Sequence, residues 1–471
     1  LVTTDKEGKT IPAMAESWDS PGNKVWTFHL RDAKWSNGDP VTANDIVYSW
    51  RRLVDPNTAS PYGSYLIDAK VVGAQAVLDG RSSPETLGVK ALDDKTLEVR
   101  LTEPVPYFAD MLIHASTYPV HAKTVEKYGE KWTDPENIVV NGPYKISRWL
   151  VNDKIIMTRN PAYYDDAHTT INTITFLPIE SETTNVARYK AGEIDIGGGM
   201  PTEQFDSLKS ELGDEVQVSP SLCSFYYLFN NKKPPFDDVR VRRALAIALD
   251  RDTITQKVMG QGQTPAYQFT PTSINGMTPF TPEWQKWDKA RRNEEAKKLL
   301  NEAGYSTSHP LKFELLYNTN EGNKKLAVAT NSLLKESISF IDVSLINKEW
   351  KTFLDTARNG NYQMARYTWC GDYNEPSTFL NIVKTGNSNN WGGYSSAKFD
   401  SLMNQTLKEG VTPEQRAELY RQAEAQLDAD MPQLNVFHIV KISMVKPYVV
   451  NFPIKDPLSN WQIKDVSIAK H

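Results

Sequence analysis

Cysteine is scarce in this chain: only Cys223 and Cys370 occur among 471 residues. Two thiols far apart in sequence exclude the local zinc patterns and any four-cysteine site. Long apolar runs are missing too. The longest is "ALAIAL" at 244–249, far short of the ~20 residues that a membrane span needs. The start, "LVTTDKEG", has neither a basic n-region nor an apolar h-region, so no signal peptide is read there. That does not exclude export, because mature secreted proteins have lost theirs. A basic face is absent as well. Net charge is −5 with both signs interspersed, which leaves no electrostatic footprint for nucleic acid. Clusters such as "SWRRL" and "KARRNEEAKK" read as solvated helix faces. Catalytic signatures also fail to appear: no Gly-x-Ser-x-Gly elbow, no P-loop, no His-Glu-x-x-His. "GQGQTP" at 260–265 lacks the third glycine and the flanks of a dinucleotide site. The histidines at 29, 114, 121, 168, 309, 438 and 471 are never paired at metal-binding spacing, so no metal and no cofactor is expected. Binding is favoured over catalysis.

What is present fits a large mixed protein. Apolar residues make up 39% and charged residues 24%, ordinary for a globular chain, and the length implies two or three domains. Strand-like runs rich in β-branched or aromatic residues occur at 25–30, 96–102, 154–158, 311–317 and 342–347. Helices are marked by their ends. Thr412, Pro413 and Gln415 form a capping-box start, and another helix begins near Asp237–Asp238 with Val241, Leu245, Ala248 and Leu249 on one stripe. "RNEEAKKLLNEAG" stops at Gly304 as a C′ residue. "WSNGDPVTANDIV" (35–47) reads as a connecting turn, with Asn37–Gly38 supplying positive φ. Alternation of strands and helices predicts α/β lobes. The 12 Trp and 21 Tyr suit ligand-contact surfaces, although most must fill the core.

The segment "RYTWCGDYNEP" (366–376) concentrates chemistry. "YQMARYTW" (362–369) reads as a strand, "CGDYNE" as a turn and "PSTFLNIV" (376–383) as a helix started by Pro376. Asp372 therefore lies just past a strand's carboxyl end, where open α/β sheets place ligands. A shielded carboxylate there would pair with an ammonium group through short charge-assisted hydrogen bonds. The plainer reading, that Asp372 caps its own turn or the next helix, is favoured by spacing alone. Cys370 has no nominated partner base for a nucleophile's role. A disulfide to Cys223, which would constrain the unfolded chain by about 2–4 kcal/mol, and two free buried thiols stand even.

Several stretches together resemble the periplasmic oligopeptide-binding proteins, the solute receptors (family 5) of peptide ABC importers. They are "VWTFHLRDAKWSNGDPVTANDIVYSWRRLVDPNTASPY" (25–62), "ARYKAGEIDI" (187–196), "PFDDVRVRRALAIALDRDTI" (235–254), "RNEEAKKLLNEAGY" (292–305), "LLYNT" (315–319), "EWKTFLDT" (349–356) and "WCGDYNEPSTFLN" (369–381). They span nearly the whole chain in the family's order, and they also resemble the related murein-tripeptide-binding protein. The resemblance implies a bilobed α/β fold of the class II periplasmic-binding type, with an additional domain and a ligand enclosed between lobes. The extra domain would be 1–121. One lobe would combine 122–222 with 440–471, and the other would be 223–439, with hinge crossings near 222 and 440. By the same resemblance Asp372 anchors the peptide's free amino terminus, and main-chain groups at Gly371, Cys370 and Thr368 line the peptide as an added strand. Trp350 and Trp369 would be walls of side-chain pockets, Arg366 and Tyr62 polar residues near the ligand, and Cys223 and Cys370 a disulfide pair.

The implied protein is a monomeric periplasmic receptor of a Gram-negative bacterium, not an enzyme, that takes short peptides and hands them to a membrane ABC permease. The family also has a first-lobe strand before the point where this sequence starts. Where relatives carry basic or imidazole groups toward the peptide's carboxyl end, this chain has Met259, Asn323 and Ala357. Arg358 is adjacent to the last but turned by about 100° on a helix. "GGGMP" (197–201) and Ser221 also replace larger groups near the ligand. Two alternatives follow: a receptor for murein tripeptide or another amine-bearing solute, and, more distantly, a Cys370-dependent hydrolase.

Overall fold

The computed structural model describes residues 1–471, which divide into two compact units. Unit 1 comprises Leu1–Ile179, Leu407–Glu409 and Lys446–His471. Unit 2 comprises Glu180–Thr406 and Gly410–Val445. No helix is long and apolar enough to cross a membrane.

Unit 1 is built on an antiparallel four-stranded sheet in which Val25–Leu30 lies between Ala15–Asp19 and Thr96–Arg100, with Val89–Asp93 at the far edge. Alternation along Val25–Leu30 turns Trp26, Phe28 and Leu30 inward, as a half-buried strand requires. The helix Ala43–Val54 packs its buried Ile46, Val47, Trp50 and Leu53 on that core, where Phe108 meets the rings of Trp26 and Trp50. Its start is a capping box between Thr42 and Asp45. The preceding turn is the expected connection, but Gly38 alone takes a positive φ, at 92°. Asn37 instead accepts the amide of Asp39 through Oδ1 at 3.0 Å, an Asx turn that needs no left-handed residue. A second, three-stranded sheet consists of Tyr144–Leu150, Lys154–Arg159 and Thr173–Phe176.

Unit 2 contains a seven-stranded mixed sheet. Its strands are β1 (Ile196–Gly198), β2 (Val216–Phe229), β3 (Thr264–Pro265), β4 (Leu311–Asn318), β5 (Ile341–Lys348), β6 (Met364–Cys370) and β7 (Gln433–Val445). The spatial order is β1-β7-β2-β6-β4-β5, with β3 added to β7. β4 and β5 run parallel, and the helix Glu321–Ser337 supplies the crossover that parallel neighbours need. The long strands β2 and β7 pair antiparallel, with a register shift between Pro220 and Ser224.

The five sequence-marked strands form, within a residue or two at their ends. The helix Val239–Ala248 starts at an Asp238 cap and buries Val241, Leu245 and Ala248. It is wider in its burial than one stripe, because Ala244, Ala246 and Ile247 are buried as well. The helix expected from Arg292 begins earlier, at Lys289, because Asp288 accepts the amide of Arg291 as its cap. It ends at Gly304 with φ 95°. The helix expected over 376–383 is one α-turn, Ser377–Leu380, followed by a 3-10 turn, Asn381–Val383.

Candidate functional site

β6 carries most of the sequence-predicted site. It pairs with β2 along its whole length, from Phe229–Met364 to Cys223–Cys370. On its other side β4 pairs with it only at Met364 and Ala365. From Arg366 onward β2 is therefore its one strand partner, and the second edge of the strand opens at the point where "RYTWC" begins. An open edge offers N–H and C=O groups in the spacing that an extended chain matches.

Cys370 and Cys223 face each other in register and their sulfurs are joined in a disulfide. The even choice left by the sequence thus falls to the bonded form, and Cys370 has no thiol with which to act as a nucleophile. The pairing extends one residue further, since the Gly371 amide donates to Leu222 O at 2.8 Å.

Asp372 follows immediately, half-buried. Its main-chain N–H donates to Thr378 Oγ1 at 2.8 Å. At the start of the following helix Glu375 Oε2 accepts the Ser377 amide at 2.8 Å. Glu375 also accepts hydrogen bonds from the hydroxyls of Ser377 and Tyr420, and burial pushes its carboxyl above the usual range.

Alternation on β6 places Arg366 and Thr368 on one face and Tyr367 and Trp369 on the other. Arg366 Nη1 donates to Asn318 Oδ1 at 3.1 Å and Nη2 to Thr368 Oγ1 at 3.0 Å. Its guanidinium stands 5.4 Å from the Phe225 ring centroid. Nε is buried without a hydrogen-bond partner, and no carboxylate pairs with the group. Burial lowers its pKa to about 10. A half-buried cation held only by neutral groups is an incomplete arrangement that an anion would complete.

On the opposite face Trp369 is only 6% exposed and donates its indole N–H to Thr378 O at 2.8 Å. Tyr367 meets Trp391 at 4.8 Å, and Arg358 stands over that Trp391 ring at 5.4 Å. Arg358 therefore belongs to the Tyr367 face rather than the Arg366 face. Trp350 lies on a separate helix, Trp350–Arg358, 44% exposed and stacked on Phe353 at 5.7 Å. Tyr62 belongs to unit 1, where it stacks on His114 at 4.3 Å. Burial lowers the His114 pKa to about 4, so this imidazole is neutral at neutral pH.

Of the three positions expected to differ from the family, Met259 packs against the unit 2 core and Ala357 is buried. Asn323 is buried and donates to Asn318 Oδ1 at 3.1 Å, the atom that also receives Arg366. Asn318, Phe225, Thr378 and Glu375 were not singled out by the sequence. Each acts through a partner distant in the chain or through a turn whose geometry composition does not encode.

The sequence profile of bacterial extracellular solute-binding proteins, family 5 Middle, matches residues 9–391. The chain is 52% identical to the periplasmic oligopeptide-binding protein OppA of Escherichia coli strain K12, over 100% of this chain and 87% of that protein. Among solved structures, that of Haemophilus influenzae OppA in complex with RPPGFSPFR is 48% identical and covers 100% of this chain and 92% of that one, with a TM-score of 0.97. The Escherichia coli murein tripeptide binding protein MppA is 38% identical with the same coverage and a TM-score of 0.98.

Proposed function

The chain belongs to family 5 of the bacterial extracellular solute-binding proteins, and on that premise we propose that it is a periplasmic receptor that binds short peptides and delivers them to an ABC importer. The observation that carries this reading is the opened edge of β6. β4 leaves the strand after Ala365, so Thr368 and Cys370 can pair with a peptide main chain irrespective of its side chains, while Gly371, whose amide already goes to Leu222, can offer only its carbonyl oxygen. Asp372, at the end of that edge, takes the peptide's ammonium group. Arg366, a cation without a counter-ion, takes a carboxylate of the ligand. Trp369 and Trp350 border side-chain pockets. The relatives that bind oligopeptides support the same ligand class.

Calorimetric titration tests the anchor. Asp372→Asn weakens binding of a free-amine peptide by about 2–5 kcal/mol, because it leaves an ammonium desolvated and unpaired. Acetylating the peptide's amino terminus weakens binding to the unaltered protein comparably. Equal affinities for free and acetylated peptide would remove the anchoring role.

A second reading has its own observation. By the resemblance set out above, Met259, Asn323 and Ala357 stand where relatives carry basic or imidazole groups, and the structure is as similar to the murein tripeptide binding protein of Escherichia coli, with a TM-score of 0.98, as to OppA, with 0.97. Mass spectrometry of ligand co-purifying with the protein separates the two: a mixture of ordinary short peptides supports the first, and a single cell-wall peptide the second.

A further inference from the structure

The proposed anchor is held from two sides. Ahead of it, the Cys223–Cys370 disulfide and the Gly371 amide tie the chain to β2. Behind it stands Thr378. Its hydroxyl oxygen receives the Asp372 N–H at 2.8 Å and its carbonyl receives the Trp369 indole N–H, also at 2.8 Å. Thr378 is 3% exposed, and its own amide donates to Glu375 O at 3.1 Å. The short helix that carries it is fixed by the Glu375 carboxylate, which binds the Ser377 amide and two hydroxyls. Packing is close as well. A Cβ built on Gly371 would stand 3.2 Å from Thr378 Cγ2 and 3.3 Å from Phe379 Cε2, so the loop and the helix touch without slack.

From this geometry we propose that Thr378 is a positioning residue: it aims Asp372 at the ligand's ammonium group and sets that aim jointly with Trp369. The inference rests on the anchoring role given to Asp372 above. Thr378 is too deeply buried to serve as a ligand contact and acts only through its neighbours. Its hydroxyl fixes the rotation of the Asp372 peptide plane, and a carboxylate on a fixed Cα samples fewer directions. That reduces the ordering cost of capturing an ammonium group. Its carbonyl holds the adjacent indole, so the amino-end anchor and the wall beside it keep a constant relation.

The test uses two substitution pairs in the full chain, with calorimetric titration against one peptide in free and N-acetylated forms. Thr378→Val keeps the branched shape and removes the hydroxyl. It is expected to weaken the free peptide about fivefold to tenfold, the worth of one hydrogen bond, and to leave the acetylated form unchanged. Thr378→Ser keeps the hydroxyl and is expected to retain the preference for the free amine. Should Thr378→Val fail to fold, Thr378→Ala set against Thr378→Ser isolates the hydroxyl at equal loss of the methyl group. Equal weakening of both peptide forms would reduce Thr378 to a packing role and overturn the inference, as would an unchanged preference. Asp372→Asn is the control that separates the two claims. If it abolishes the free-amine preference and removal of the Thr378 hydroxyl does not, only this inference fails. If Asp372→Asn leaves the preference intact, the anchor itself is wrong.

Discussion

Arg366 illustrates how a residue can be tolerated by the fold and still be costly to it. Its guanidinium has two neutral acceptors, an aromatic face and a buried Nε without a partner. Burying a cation without a counter-ion opposes folding. On the proposed function, the residue's value lies in what it binds. Arg366→Met keeps the length and the packing against Phe225 while deleting the charge. Asn318 Oδ1 stays satisfied in that variant, because Asn323 still donates to it. The expected result is a melting temperature that does not fall, together with a loss of about ten- to hundredfold in affinity for a peptide with a free carboxylate, the worth of a charged hydrogen bond. Thermal denaturation and titration calorimetry on the same preparation check both halves. A clear drop in stability with unchanged affinity would assign Arg366 to structure instead.

Between elements, the informative contact joins the N-termini of two helices in unit 2, Glu182–Lys190 and Glu321–Ser337. The Glu321 carboxylate accepts from Ser181 Oγ at 2.9 Å and from the Thr183 amide at 3.4 Å. Both helix ends favour an anion, but three acids crowd there: Glu182, Glu203 and Glu321. Only Lys325 opposes them, bound to Glu203 at 3.1 Å. Burial, then the charges of Glu321 and Glu203, raise the Glu182 pKa to about 7. A carboxyl raised in the folded state holds its proton more tightly than the unfolded chain does. Its contribution to stability is thus complete below the ordinary carboxylate pKa and is lost as pH rises through about 7. Denaturant titrations between pH 5 and 8 should show stability falling with pH more steeply in the unaltered protein than in Glu182→Gln. Parallel profiles would place the pH dependence elsewhere. This contact also marks a limit of sequence reading. Thr412 and Gln415 announce their helix because a capping box is local. Nothing near Glu182 announces Glu321, which arrives from a distant helix.

Over the whole molecule, legibility follows the same division. Alternation of strands and helices was enough for the α/β class, and the strand-then-turn plan around "WCGDYNEP" was legible in the same way. The order β1-β7-β2-β6-β4-β5 was beyond reach, since pairing β2 with both β6 and β7 depends on contacts spanning much of the chain. Pairing also decides where the disulfide acts. Cys223 and Cys370 both lie in unit 2, as do Asp372 and Arg366, while unit 1 contains no cysteine. Two compact units need not unfold as one cooperative body, so scanning calorimetry is expected to resolve two transitions. A saturating free-amine peptide should raise the transition of unit 2, by about 2.7 kcal/mol at a hundredfold excess over Kd. Dithiothreitol should lower that same transition, since opening the bond restores about 2–4 kcal/mol of unfolded-state freedom. The unit 1 transition should respond to the reductant not at all. Because the disulfide adjoins Gly371 and Asp372, the two agents should also interfere, with the peptide-induced rise smaller in reduced protein than in oxidised. A rise of equal size in both states would mean that the disulfide stabilises unit 2 without shaping the loop that holds the ligand.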